Sequence, residues 1–86
     1  MKWVVHCKRE HCDVFVGRPS RWGNPFRVGY DGTREEVIQR FEEWLLSQPE
    51  LVEDVQRELK GKVLGCFCAP LPCHALVLAW VANATG

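Results

Sequence analysis

"KVLGCFCAPLPCHALVLAWVANA", residues 62–84, decides the fold. The run from Lys62 to Cys68 is short and largely apolar, with Val63, Leu64, Phe67 and two cysteines, which reads as a compact strand. From Cys73 the chain is apolar nearly all round except near its ends, which predicts a helix that is mostly buried. Pro70 and Pro72 between them force a rigid turn. A strand that turns into a buried helix is half of an α/β unit, so the preceding sequence must supply helices that return the chain to the sheet.

It does. "TREEVIQRFEEWLLS" opens with Thr33 and, three residues on, Glu36, the spacing of a capping box. Val37, Ile38, Phe41, Trp44 and Leu45 then fall on one helical face. Ser47 and Glu50 repeat the capping-box spacing, Pro49 suits a first turn, and Leu51, Val52, Val55 and Leu59 carry a second apolar stripe that Gly61 should end. Further upstream, "WVVHC" and "DVFVG" have the valine and aromatic content of short strands. The predicted order is strand, strand, loop, helix, helix, strand, helix. A helical crossover into a strand favours a parallel connection. The expectation is therefore an α/β fold: a small Rossmann-like sandwich of two or three layers, with about three mostly parallel strands and three helices in a single domain spanning residues 1–86.

Composition narrows the function classes. The 86 residues carry 11 basic and 11 acidic side chains, so no global field draws the chain to nucleic acid or to an anionic membrane. No stretch approaches the roughly 20 apolar residues of a membrane span, and the apolar N-terminal run is too short for a signal peptide. A cytoplasmic location is expected, where five cysteines are thiols, ligands or catalysts rather than a disulfide framework. A domain this small gains stability from tight packing, a metal, a ligand or a second copy of the chain, which makes a homodimer one expectation.

Two segments carry chemistry. In the first, Cys66, Cys68, Cys73 and His74 lie within nine positions. If the strand runs through residue 68, alternation puts Cys66 and Cys68 on one face. A helix beginning near Cys73 sets that thiol beside unpaired backbone N–H groups and a positive dipole end, which lowers a thiol pKa and suits an anion. Three readings compete: buried packing, a zinc or iron site using all four side chains, and a catalytic or small-molecule site centred on Cys73 and His74. The spacing departs from paired CxxC knuckles, and adjacent Cys73 and His74 project differently from a helix. His6, Cys7, His11 and Cys12 would add ligands only if the first strand lies beside the third. The second segment, "GRPSRWGNPF" (residues 17–26), joins Arg18 and Arg21 to Asn24 and two rings. Arginine forks bind phosphate or carboxylate, asparagine reads amide or base edges, and Trp22 offers a stacking face. The plainer reading of this loop clamps Trp22, Pro25 and Phe26 to the core and leaves the arginines to solvent.

"VGRPSRWGNPF", "DGTREEVIQRFEEWL" and "LKGKVLGCFCAPLPCHALVLA" together resemble a family of small uncharacterised proteins of bacteria and their phages, a domain of unknown function with GRP, GNPF and CxCxPxxCH signatures. The resemblance covers nearly the whole chain after residue 12. It places Gly17, Arg18, Gly23, Asn24, Pro25, Phe26, Cys66, Cys68, Pro70, Cys73 and His74 on motif positions, while Ala75 stands where the family has glycine and Cys7 where it has asparagine. The Cys, then Cys-His pattern is also similar to the C-terminal motif of a second uncharacterised Rossmann-like family. The expected function is a pocket for a nucleotide-like or anionic small molecule, lined by Gly17, Arg18, Trp22, Gly23, Asn24 and Phe26 and carrying Cys73 as thiolate and His74 as its proton partner or a polar lining residue. The alternatives are a non-catalytic zinc or iron module held by Cys66, Cys68, Cys73 and His74, and a nucleic-acid-binding phage protein, against which the balanced charge argues. No cofactor follows with certainty.

Overall fold

The computed structural model describes residues 3–18, 20–67 and 73–84. Its elements are β1 (Val4–His6), β2 (Val14–Phe15), α1 (Arg34–Leu46), α2 (Pro49–Leu59), β3 (Leu64–Cys66) and α3 (His74–Ala82). The three strands form one sheet in the order β1-β3-β2, with β1 and β2 both parallel to β3. The fold is thus α/β, three parallel strands with three helices. The predicted strand through residue 68 ends at Cys66, and Cys68 lies outside the described residues.

The last strand by sequence is the middle one in space. Alternation splits it: Leu64 and Cys66 join a core with Phe41, Leu45, Val55, Leu59, Ala75 and Leu78 from all three helices, and Val4 and Val14 of the flanking strands pack onto it. Leu64, Phe41, Leu45, Leu59 and Leu78 are at most 1% exposed, and burying each such side chain contributes about 1.5–3 kcal/mol. The opposite face of β3 presents Gly65. A Cβ there would stand 2.4 Å from Cys12 Sγ and 3.0 Å from Cys7 Cβ. Residues 7–13, which lead from β1 to β2 across the central strand, therefore lie directly on that glycine. The helices share one core on one sheet face, and this connection covers the other.

Helix α1 begins as predicted, with Thr33 as N-cap and both halves of the capping box formed with Glu36. The second predicted capping box does not form. Ser47 instead ends α1 and donates its hydroxyl to the Trp44 carbonyl, and Gln48 is the N-cap of α2 without a side-chain cap bond. The physical reason is that only two residues separate the helices: Ser47 is taken as the C-cap of α1, which leaves Gln48 as the N-cap of α2, and Pro49 needs no N–H acceptor at the first position of α2. Gly61 follows α2 with φ +75°, the left-handed conformation that ends a helix, and donates its N–H to Asn83 Oδ1. Helix α3 is buried on every face but one, where Leu76 and Trp80 are exposed. None of the helices is long and apolar enough to cross a membrane, among the described residues.

Candidate functional site

The two chemistry-bearing segments meet. A cleft of about 300 Å³ opens at the carboxyl ends of β2 and β3, lined by Gly17, Arg18, Asn24, Phe26, Cys66, Phe67, Cys73 and His74, with Val28, Arg34, Val37 and Ile38 closing the side formed by the loop and the start of α1. Open α/β sheets bind ligands at this edge because strand ends and helix starts converge there. Cys73 is the N-cap of α3 and Arg34 the first residue of α1, so the cleft lies against the amino ends of two helices. Arg18 and Arg34 contribute positive charge, and no carboxylate stands among these lining residues.

His74 is held by contacts on two sides. Its Nε2 lies 2.9 Å from the Val16 carbonyl and so carries the proton, and its ring meets Phe41 edge-on at 5.1 Å. One side chain thereby ties the start of α3 to the end of β2 and the middle of α1. Burial pushes its pKa below the ordinary imidazole value, against the Val16 and Trp22 carbonyls that favour the charged ring, and nearby Arg18 adds to the depression. The ring is therefore neutral at neutral pH. Cys66 and Cys73 are both buried, their sulfurs 3.3 Å apart, and neither is in a disulfide.

Asn24 shapes the loop from inside. Its Oδ1 accepts the Phe26 N–H at 2.8 Å and its Nδ2 donates to the Val37 carbonyl at 3.3 Å, which anchors the GNPF turn to α1. Trp22 and Gly23 stand outside the cleft wall. Trp22 is buried in the core with the Arg21 guanidinium 4.5 Å above its ring, and Arg21 in turn pairs with Asp54 and Glu58 of α2. Arg21 is accordingly spent on packing, as is the indole. A Cβ at Gly23 would lie 2.7 Å from Arg18 Cγ, so the glycine lets the Arg18 stem lie close along the loop.

Sequence reasoning missed Arg34, Val28, Val37, Ile38 and Phe67. Arg34 had a usable signal: it directly follows the N-cap at the end of the motif-bearing loop, so its side chain starts where that loop ends. Phe67 is half exposed and edge-on to Phe15 and His6, at 5.2 and 6.0 Å. The first strand does lie beside the third. His6, Cys7, His11 and Cys12 nonetheless stay apart from the cleft: Cys7 and Cys12 cover Gly65 on the far face, His6 Nδ1 accepts the Lys8 N–H, and His11 is solvent-exposed 3.9 Å from Asp13. Burial, then Cys7, Asp13 and Cys66, raise the Cys12 thiol pKa. Among the described residues no three metal-ligating side chains converge, and Cys68, the remaining member of the predicted metal set, lies outside them.

Residues 5–84 match the domain of unknown function DUF4326. The chain belongs to that family. Over 84 residues it is 34% identical to an uncharacterised 12.4 kDa protein of the nrdA-td intergenic region of Enterobacteria phage T4, covering 93% of this chain and 76% of the phage protein. Over 87 residues it is 33% identical to the uncharacterised protein R718 of Acanthamoeba polyphaga mimivirus, covering 80% of this chain and 65%, just under two thirds, of that protein. No solved structure matches.

Proposed function

We propose that this DUF4326 domain binds a small molecule that joins an anionic group to a planar or apolar body, as a nucleotide does, in the cleft between the GRP/GNPF loop and the start of α3. The observation that carries the reading is the composition of the wall: two arginines, the amino ends of two helices and no carboxylate, beside Phe26, Val28, Ile38 and Phe67. Guanidinium forks and helix amino ends stabilise phosphate or carboxylate, and the apolar side takes a ring. A volume of about 300 Å³ suits a ligand of roughly mononucleotide size. Arg18 and Arg34 contact the anion, Phe26 and Phe67 flank the body, Gly17 makes room for the Phe15 ring beside the cleft, and Asn24 holds the loop in shape. Cys73 presents the reactive sulfur, and His74 serves as a neutral polar wall. Thiol chemistry of this kind belongs in a reducing, cytoplasmic compartment.

The test is thermal unfolding with inorganic phosphate, AMP, ADP and nicotinamide mononucleotide. A ligand at 100 times its Kd stabilises by about 2.7 kcal/mol, which for a domain of this size raises Tm by roughly 10–20 °C. Binding should also protect Cys73 from alkylation. If none of these anions moves Tm at millimolar concentration, the reading fails.

A further inference from the structure

The structure places two thiols in contact at the floor of the cleft. Cys66 ends the central strand, Cys73 caps α3 seven residues later, and their sulfurs are 3.3 Å apart, both in the buried hydrophobic cluster. We propose that Cys66 and Cys73 form a redox-active dithiol that closes reversibly to a disulfide by exchange with a small disulfide-containing molecule. The inference does not depend on what the cleft binds.

Three features support it. Closing the pair to a bond of about 2.05 Å moves the sulfurs together by little more than 1 Å, within the reach of side-chain torsions. Cys73 is the N-cap of the nine-residue α3, so its sulfur stands at the helix start that borders the cleft, on the side from which a small disulfide arrives. Both residues line the cleft, which gives a small reagent its path to otherwise buried sulfur. The other neighbouring pair, Cys7 and Cys12, lies on the far sheet face away from the cleft, and burial with nearby Cys7 and Asp13 raises the Cys12 thiol pKa.

The exchange balances without a further reactant. The Cys73 thiolate attacks one sulfur of the small disulfide and expels the first small thiolate, forming a mixed disulfide. Cys66, deprotonated, attacks Cys73 Sγ and expels the second. Two electrons pass from the protein to the small disulfide, and the two protein thiol protons end on the two small thiols.

The experiment equilibrates the full chain in glutathione buffers of rising oxidised fraction, quenches with an alkylating reagent, and maps the products by intact and peptide mass spectrometry, with elemental analysis alongside. The expected result is that two of the five thiols are lost together and the cross-link maps to Cys66–Cys73. Cys66→Ser should instead trap Cys73 as its glutathione adduct; the wild-type map stands alone should that variant not fold. Alkylation of both thiols throughout, a dominant cross-link to Cys68 or between Cys7 and Cys12, or one zinc or iron per chain shielding the pair would overturn the proposal.

Discussion

Replacing Asn24 by alanine separates a side chain that builds the cleft from one that reads its contents. The substitution removes the acceptor for the Phe26 N–H and the donor to the Val37 carbonyl at a position only 9% exposed. Val37 keeps its helical hydrogen bond within α1, so that loss costs about 0.5–1.5 kcal/mol, whereas an unpaired, partly buried Phe26 N–H costs about 1–3 kcal/mol. The sum is roughly 1.5–4.5 kcal/mol. At about 4–8 °C per kcal/mol for a domain of this size, Tm should fall by roughly 6–36 °C. Urea unfolding monitored by tryptophan fluorescence measures it, with Asn24→Asp as the companion: the aspartate keeps the acceptor for Phe26 and loses only the donor, so its cost should be smaller. A change under about 0.5 kcal/mol in the alanine variant, with the fold intact, would refute the structural role and return Asn24 to the ligand.

Gly65→Ala should destabilise by about 1–3 kcal/mol, read in the same unfolding assay, because the new methyl meets Cys12 and Cys7 in the connection packed on the sheet. Cys12→Ala in that background should recover part of the loss. Stability should fall as pH drops below the ordinary imidazole value of about 6.5, because the unfolded chain then binds a proton that buried His74 resists, and should not depend on this group above it; the slope between pH 7 and 5 should shrink in His74→Gln. Asp54, lowered by its hydrogen bond to Arg21, and Glu36, lowered by Thr33, contribute stability that is lost only at more acidic pH, which keeps the two windows apart. Arg18→Ala should weaken anion binding about 10- to 100-fold in calorimetric titration while leaving Tm of the unliganded protein nearly unchanged, since Arg18 is exposed.

Much of the architecture was legible because helix signals are local. The Thr33–Glu36 box, the α1 stripe, Pro49 at the start of α2 and Gly61 past its end each depend on residues three or four apart. Ser47 misled because its spacing to Glu50 says nothing about which helix claims it; it is the C-cap of α1 with its hydroxyl on the Trp44 carbonyl, and Gln48 takes the N-cap of α2. The sheet order was not readable, since strands of two or three residues carry little pattern, and only the contact of Gly65 with Cys7 and Cys12 explains why a glycine must be central. In the site, the motifs drew attention to Arg18, Asn24, Cys73 and His74, which the fold brings to one cleft. They could not tell a wall from a buttress. Trp22 and Arg21 have the chemistry of ligand contacts and are occupied by each other and by α2, a pairing across more than thirty residues that no local spacing reveals. Arg34 and Phe67 went unnoticed for the converse reason, being ordinary in sequence and placed at the cleft only by the fold.

The measurement that bears most directly on the anion-binding cleft is an NMR titration of the isotopically labelled chain with AMP, repeated with adenosine and with inorganic phosphate. The account predicts saturable shifts at Gly17, Arg18, Phe26, Arg34, Phe67 and the first turn of α3, strongest for AMP and lost in Arg18→Glu. Shifts confined to the far sheet face or the exposed side of α3, or equal binding of adenosine and AMP, would contradict it.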